Sequence, residues 1–395
     1  MERNRHGHRI VVTALGVTQI LAWGSSYYLL AVLAAPIGSE TGWSAAWVIG
    51  ALSLGLLVEG FLSPFVGDAI ERYGGRLILA GSSVFMAAGL TGLAAAPSLP
   101  FYVASWLVIG VGMGAGLYDA AFSTLGRLYG LDARRLITLL TLFGGFASTV
   151  CWPLTAFLVG ELGWRGACLF YALAHLCISL PLHLFAIPRE DRRARTGSLA
   201  GPGPHGTFAL RSERSEVFLL LAVAFAVTSS IAAIVSVHLV TLLVERGSAL
   251  AVAVGLGALM GPSQVAARLA ELALGRRHHP RWAMAASSVL IGAGILLLWV
   301  DAPFVGAAIV IYGGGMGIRS IVRGTMPLAV FGAEGYASLM GRLAMPSLLA
   351  GAASPFFAAV MLERYGTKGV LALLFMLAMT NILVVAALWS RVDRK

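Results

Sequence analysis

The stretch GGGMGIRSIVR, residues 313–323, sets two arginines into a glycine-rich apolar run that extends from Phe304 to Phe331. A run of this length can cross the hydrocarbon core of a bilayer, where a central arginine costs roughly 2.5 to 3.5 kcal/mol. Arg319 and Arg323 are one helical turn apart, so both guanidinium groups leave the same face of the helix. We expect that face to point into protein or a water-filled cavity. Two interpretations follow: an ion pair that holds the fold, or a site for an anion.

The composition of the 395-residue chain is that of a membrane protein. It is 58% hydrophobic and 12% charged, with a mean hydropathy of +0.85, whereas soluble domains carry roughly 25% charged residues. The net charge is +10, but no basic patch with interleaved aromatic residues occurs, so orientation in a membrane explains the basic residues better than nucleic-acid binding does. The three cysteines lack metal-ligand spacing, and the sequence contains no metalloprotease motif, phosphate loop or nucleophile elbow. We therefore predict no enzyme activity, no metal site and no cofactor.

Twelve apolar runs are long enough to cross a bilayer. The first, from Ile10 to Leu33, follows three arginines as a secretory signal does, but it exceeds the usual apolar region of roughly 7 to 15 residues, so we interpret it as a transmembrane helix. The runs, numbered here as spans 1 to 12, lie at about 10–36, 43–66, 76–97, 100–128, 135–160, 164–187, 216–244, 248–275, 281–300, 303–331, 335–362 and 369–390.

Basic residues are distributed unevenly between the two sides of the membrane. An N-terminus in the cytoplasm places 20 of the 28 Lys and Arg residues on that side and four on the other. The positive-inside rule then predicts that both termini are cytoplasmic, here in a bacterial inner membrane. Residues 188–215 form a basic stretch that contains Gly-Pro-Gly-Pro, and we interpret them as a flexible cytoplasmic linker between an N-terminal half, 1–187, and a C-terminal half, 216–395.

The two halves have similar sequence features at a constant displacement. Pro153 in span 5 matches Pro355 in span 11, 202 residues later, and the Gly-Met-Gly run at 112–114 in span 4 matches the run at 315–317 in span 10, 203 residues later. Because each half holds an even number of spans, the two repeats have the same orientation in the membrane.

The loop after span 2 reads GDAIERYGGR, residues 67–76. It resembles the signature that major facilitator superfamily proteins carry between helices 2 and 3, with Glu71 where the family usually has Asp and with four family residues in place: Gly67, Arg72, Gly74 and Arg76. A weaker copy follows span 8 at Arg268, Glu271 and Arg276. Together with the twelve spans, the linker and the half-repeat, the chain resembles this family over its whole length.

The resemblance implies an all-α membrane protein with twelve transmembrane helices in two pseudo-symmetric six-helix bundles, with helices 1, 4, 7 and 10 around a central cavity and helices 3, 6, 9 and 12 facing lipid. The charged residues inside the spans fit this arrangement, because none of them lies in a helix that the family places against lipid. These charged residues are Glu59, Asp119, Arg268, Glu271, Arg319, Arg323 and Arg342. Span 6 contains His175 and His183, which we expect to be neutral and hydrogen-bonded.

Depth along the helices divides the charged residues into two groups. At about 1.5 Å per residue, Asp119 and Arg319 lie about 15 to 18 Å from the cytoplasmic ends, and Arg323 lies nearer that surface. In the family that the chain resembles, the loop after helix 2 packs against the start of helix 11 when the cytoplasmic side is closed. We therefore expect Arg342 to pair with Asp68 or Glu71, with a mirror pair on span 8, in a gate that must open for the protein to switch. The gate candidates are Asp68, Glu71, Arg72, Arg76, Arg268, Glu271 and Arg342.

The deep group marks the expected substrate site near the midplane. Arginine suits a carboxylate because its planar guanidinium binds two oxygens at once, and span 1 adds a stripe of polar and aromatic residues at helical spacing. The candidate substrate contacts are Arg319, Arg323, Gln19, Trp23, Tyr27, Tyr28, Tyr118 and His238. Asp119 and Glu59 are the candidates for a proton-carrying group, if transport is coupled to protons.

The function that these features favour is secondary active transport of a small organic anion by rocker-switch alternating access, most similar to the monocarboxylate and oxalate/formate branch. The alternative is proton-coupled efflux of drugs or other amphipathic compounds. Two departures count against it: Trp106 stands where helix 4 of such exporters has a basic residue, and Trp152-Pro153 replaces their Gly-Pro pair in helix 5. The other expected partners are the lipid bilayer and, in a coupled transporter, a proton. We expect a monomer without a nucleic-acid partner.

Overall fold

The computed structural model describes residues 2–189, 212–274, 278–300 and 303–392. These residues form α-helices, short turns, one 3₁₀ turn at Gly130–Asp132 and one π-helical turn at His175–Ser179. The α-helices are α1 (Glu2–Gly24), α2 (Leu30–Thr41), α3 (Ala45–Tyr73), α4 (Gly75–Ala95), α5 (Leu99–Gly116), α6 (Tyr118–Tyr129), α7 (Ala133–Gly145), α8 (Ala147–Ala174), α9 (Leu180–Ala186), α10 (Ser212–Glu245), α11 (Leu250–Ala258), α12 (Met260–Leu274), α13 (Pro280–Trp299), α14 (Val305–Phe331) and α15 (Tyr336–Val392).

Two of these helices each contain a turn between two spans. Gly163 in α8 has φ 69°, and Gly366 in α15 has φ 65°; both are left-handed conformations that glycine adopts without strain. A straight helix of the 57 residues in α15 would be about 85 Å long, far more than the roughly 30 Å core of a bilayer. The two glycines are 203 residues apart, the displacement of the sequence repeat.

Within the described residues, eight helical stretches are long and apolar enough, by length and composition, to cross a membrane. The stretch Leu99–Ala186 has 88 residues and holds spans 4 to 6, and Tyr336–Arg391 has 56 residues and holds spans 11 and 12. The pair α1 and α2 forms span 1. The all-α fold of twelve spans in two bundles is confirmed.

Most of the expected linker, residues 190–211, lies outside the described residues, so its flexibility stays a prediction. Its last residues are helical, because α10 begins at Ser212.

Glycines bring the helices of each half into close contact. A Cβ atom on Gly110 of α5 would overlap the backbone of Gly55 in α3, and one on Gly317 of α14 would overlap the backbone of Gln264 in α12. These contacts join spans 2 and 4 in one half and spans 8 and 10 in the other. The glycine run at 313–317 therefore marks a close helix crossing, as its sequence predicts.

The apolar cores show where the two halves meet. We call the end at which α9 ends and α10 begins the linker end, and the opposite end the far end. One cluster at the linker end combines residues of both halves, with Ile70, Phe122 and Ile137 packed together with Leu328 and Tyr336. The two clusters at the far end are separate, because one contains only residues of the N-terminal half and the other only residues of the C-terminal half. The structure is therefore closed at the linker end, and the halves pack separately at the far end.

Two helix breaks lie at the middle of the N-terminal half. Residues 25–29 form turns between α1 and α2. There the Tyr28 amide donates a 3.0 Å hydrogen bond to the Trp23 carbonyl, five residues earlier. Leu117 separates α5 from α6 with an extended ψ of −168°. The Gln19 amide donates a 2.7 Å hydrogen bond to the Gly116 carbonyl and so connects α1 to the end of α5, next to the break at Leu117. Broken helices at mid-membrane are typical of substrate sites in transporters.

Candidate binding site between the two bundles

An ion pair joins the two halves at the centre of the molecule. Arg323 of α14 donates from Nε and Nη2 to the two carboxylate oxygens of Asp119, each at 2.7 Å, and both side chains are largely buried. Nη1 of Arg323 donates to the Ser347 hydroxyl at 2.8 Å. Asp119 lies in the first turn of α6, where the helix dipole favours a negative charge. Every guanidinium nitrogen of Arg323 is thus satisfied by protein.

This pairing corrects the expected depths. Counting residues from the helix ends placed Asp119 with Arg319 in a deep group and Arg323 nearer the surface. The structure places Asp119 and Arg323 in direct contact, because the break at Leu117 and the crossing of α6 with α14 change the depth that a straight helix would give.

Arg319 is one turn away, and none of the described residues bonds to its guanidinium. Its side chain is partly exposed, and no hydrogen bond or ion pair links it to another described residue. Tyr27, Tyr312 and Asp119 are within electrostatic range of its guanidinium. A partly exposed cation inside a membrane span, with no bonded partner among the described residues, is the kind of group that attracts an anion.

Glu59 of α3 lies beside the ion pair. The side chain is 5% exposed, and its Oε2 atom has no hydrogen-bond partner among the described residues. Asp119 and Arg323 are both within electrostatic range. The structure therefore brings together both carboxyl groups and both arginines that the sequence singled out in spans 2, 4 and 10.

Aromatic rings form a wall beside these charged groups. The Trp23 ring centroid is 5.6 Å from that of Tyr27, 6.1 Å from Tyr28 and 5.2 Å from Tyr118. Trp152, which the sequence did not single out as a contact, lies 6.0 Å from Tyr28. All four predicted aromatic candidates are thus in one partly buried cluster.

Gln19 and His238 are among the predicted substrate contacts that have protein partners in the structure. Gln19 is fully buried; its amide is used by the Gly116 carbonyl and by the Trp23 indole, whose Nε1 donates to Gln19 Oε1 at 3.1 Å. Nε2 of His238 lies 3.0 Å from the Pro355 carbonyl in its own half. Gln19 therefore positions Trp23 and the break between α5 and α6, and its contact with substrate stays a prediction.

The predicted contact between the loop after span 2 and the start of span 11 is present at the linker end. The Ala337 amide donates to Glu71 Oε2 at 3.3 Å, and the Ser63 hydroxyl donates to the Gly341 carbonyl at 3.1 Å. A Cβ on Gly341 would lie 3.1 Å from the Cα of Gly67, so the two backbones are in direct contact.

The expected ion pair of Arg342 is absent among the described residues. Arg342 is exposed, and Glu71 instead pairs with Arg127 at 3.3 Å, while Arg127 also donates to the Glu71 carbonyl. Gly341 faces α3, and the next residue along a helix points about 100° away, so Arg342 turns from both Asp68 and Glu71. The sequence missed Arg127 because it lies in the last turn of α6, at the end of span 4, where a basic residue fits membrane orientation equally well.

Span 8 does contact the other half, but through carbonyl groups. Arg268 is buried and donates from Nη1 to the Thr141 carbonyl across the interface at 2.9 Å, and from Nη2 to Gln264 Oε1 at 3.2 Å. Arg268 thus caps the backbone of α7, and Glu271 of the same span lies within electrostatic range of Arg134 in the other half. Nearby, Arg134 Nη2 donates to the His278 carbonyl at 2.6 Å.

The other gate candidates differ in their exposure. Arg72 is exposed, Asp68 and Glu271 are partly buried, and Nε of Arg76 is buried without a hydrogen bond to any described residue.

The histidines of span 6 are hydrogen-bonded, as expected. His175 Nε2 lies 2.8 Å from the Ser25 hydroxyl. His183 contacts the Ser83 hydroxyl at 3.0 Å and the Thr18 hydroxyl at 3.1 Å. His183 therefore ties α1 and α4 to span 6, and His175 ties the turn at residues 25–29 to it.

The fold is similar to that of known transporters. The human organic anion transporter MFSD10 (TETRAN) superposes with a TM-score of 0.75 at 15% identity, over 96% of this chain and 99% of that one. The proton:xylose symporter XylE, bound to 6-bromo-6-deoxy-D-glucose, superposes with a TM-score of 0.73 at 11% identity, over 98% of this chain and 96% of that one. At these identities the similarity concerns the fold alone. A search of curated protein sequences finds no match.

The family is assigned from the sequence. The model of the Major Facilitator Superfamily matches residues 15–318, a segment that includes the loop signature, both helix breaks and Asp119. With twelve spans in two bundles around a central group of charges, this chain belongs to the major facilitator superfamily.

Proposed function

We propose that this secondary transporter moves a small organic anion and that Arg319 binds its carboxylate. The observation that carries the proposal is the difference among the intramembrane arginines. Arg323 and Arg268 use their donors on protein groups, whereas Arg319 has no hydrogen-bonding partner among the described residues. A bound carboxylate would supply two oxygens to a planar guanidinium whose donors are otherwise unused.

The path of the anion follows from where the halves separate. The structure is closed at the linker end, so the substrate would enter from the far end and reach Arg319 beside the aromatic wall. Its charge would offset the repulsion between Arg319 and Arg323. Release on the other side would require the contacts at the linker end to open, as in rocker-switch alternating access.

Glu59 is the better of the two candidates for a coupling proton. Asp119 is held by two hydrogen bonds to Arg323, while Glu59 has an unpartnered oxygen in a buried site. Buried carboxyl groups inside membrane proteins are typical proton carriers. Glu59→Gln imitates the protonated form, so we expect it to retain substrate exchange and to lose uptake driven by a pH gradient.

The alternative, proton-coupled efflux of amphipathic compounds, is favoured by one observation. The cluster of Trp23, Tyr27, Tyr28 and Tyr118 presents ring faces that can hold a lipophilic cation as well as the apolar part of an anion. The similar folds do not decide the question, because one is an organic anion transporter and the other a sugar symporter.

Counterflow in proteoliposomes tests the proposal. The substrates are a panel of labelled small carboxylates and one lipophilic cation, and the proteins are the wild type, Arg319→Ala, Arg319→Lys and the exposed control Arg364→Ala. We expect the wild type to exchange at least one carboxylate. Arg319→Ala should reduce that exchange at least tenfold, since a charge-assisted hydrogen bond contributes about 1.5 to 3 kcal/mol. Arg319→Lys should retain part of it, and Arg364→Ala all of it.

The outcomes separate the two functions. Carboxylate exchange that survives Arg319→Ala would make Arg319 structural. Exchange of the lipophilic cation alone would favour efflux.

A further inference from the structure

A groove lies on the outer face of the C-terminal half, away from the site between the halves. It runs between α13 and the last part of α15 and has a volume of about 320 Å³. Apolar side chains form most of its walls: Ala285, Val289, Ile382, Val385, Ala386 and Trp389. Because α13 and this part of α15 are spans 9 and 12, the groove faces the hydrocarbon of the membrane.

The groove ends in an aromatic and basic corner at the linker end. The rings of Trp282 and Trp389 meet edge to face with centroids 4.6 Å apart, and the guanidinium of Arg281 lies 4.8 Å from the centre of the Trp389 ring. Arg391 follows two residues later, half exposed and 3.0 Å from Glu216. Tryptophan and arginine at the ends of spans are typical of the level where hydrocarbon meets lipid headgroups.

The geometry points to a phospholipid as the occupant. From Trp389 to Ile382 the helix rises about 10 Å, so the groove extends from the headgroup level into the hydrocarbon. A free phosphate ion would make no favourable contact with the apolar walls of the groove. Basic residues near a membrane surface favour anionic lipids by about 1 kcal/mol each.

We propose that the groove between α13 and α15 binds one acyl chain of an anionic phospholipid, with the phosphate against Arg281 and Arg391. The Trp282 and Trp389 rings flank the glycerol level, and Glu216 shares Arg391 with the phosphate.

Native mass spectrometry of the purified full-length protein tests this. The probes are phosphatidylglycerol and phosphatidylcholine with identical acyl chains. We expect the wild type to bind phosphatidylglycerol about fivefold or more tightly than phosphatidylcholine, the ratio that one basic residue supplies. Arg281→Gln should reduce the ratio, and Arg281→Lys, which keeps the charge, should retain it.

A second set of variants tests the acyl-chain groove. Ala386→Trp fills it and should weaken both lipids at least fivefold, whereas Leu383→Trp, a lipid-facing control on the same helix outside the groove, should change neither. If Ala386→Trp does not fold, Ala285→Phe fills the groove from the other helix. Equal affinity for the two lipids in the wild type, or equal losses in Ala386→Trp and Leu383→Trp, would overturn the proposal.

Discussion

Two arginines one helical turn apart have opposite surroundings in this protein. Arg323 gives its donors to Asp119 and Ser347, and Arg319 gives none to the described residues. The difference matters because removing one partner of a buried pair leaves the other charge uncompensated, whereas removing an unpaired arginine relieves a cost. Stability and transport should therefore respond to different arginines.

Arg323→Gln should lower the free energy of unfolding by about 3 kcal/mol, because Asp119 keeps its charge without a partner. Arg319→Gln should leave stability unchanged or raise it. Thermal unfolding in detergent measures both, and the double variant Asp119→Asn, Arg323→Gln should recover part of the loss. Equal destabilisation by the two arginine variants would contradict the assignment.

The sequence predicts part of this site. The spacing of Arg319 and Arg323 places both side chains on one face of the helix. Because a charge inside a membrane is unfavourable, the sequence also indicates that each arginine has a structural or functional role. The sequence does not assign partners, because Asp119 lies in the other half and its contact depends on how the halves meet. The sequence also does not predict that Gln19 bonds to the Gly116 carbonyl, because a polar residue in span 1 is equally compatible with a substrate contact and with a bond to a neighbouring helix.

At the scale of elements, helix α3 and the first part of α15 form the closed contact at the linker end. Gly67 and Gly341 allow their backbones to touch, with Ser63 and Glu71 adding hydrogen bonds to α15. The loop signature and the Gly-rich runs predict such crossings. The breaks at residues 25–29 and at Leu117 were not predicted, because no proline marks them and a tertiary contact from Gln19 satisfies the freed Gly116 carbonyl.

Gly341→Val should separate α3 from α15, because its side chain has no room against the backbone of Gly67. The test is a cysteine at Ala337, which is buried in the closed contact, in a chain whose exposed native Cys177 is changed to alanine. A water-soluble thiol reagent should label this cysteine slowly in the parent protein and rapidly with Gly341→Val. Gly50→Val on α3 is the matched control, since nothing lies within 4 Å of a Cβ there.

At the scale of the whole molecule, the two halves share one apolar cluster at the linker end and have separate clusters at the far end. The sequence predicts the halves, the spans and the displacement of about 203 residues, because hydrophobic runs and glycine positions can be recognised within a single stretch of sequence. The end at which the halves close cannot be read from one stretch of sequence, since it depends on contacts between residues that are 127 to 278 positions apart.

Substrate binding should change the distances at the two ends in opposite directions. Spin labels at Ser39, which is exposed, and Ser248, which is partly exposed, lie near the far-end turns and should move closer when a transported carboxylate is added. Labels at Leu131 and Glu334, exposed at the linker end, should move apart. Double electron–electron resonance measures both pairs in the Cys177→Ala background. Movement of both pairs in the same direction would contradict alternating access between rigid halves.

The apolar cluster between the halves also makes the conformational equilibrium depend on temperature. Opening the linker end would expose Ile70, Phe122, Leu328 and their neighbours to water, with a positive change in heat capacity. Hydrophobic association weakens on cooling, so the closed linker end loses part of its advantage in the cold. The balance between inward- and outward-facing protein would thus shift with temperature even at constant substrate concentration. A transport rate measured at one temperature therefore depends on the populations of the two conformations as well as on the activation barrier between them.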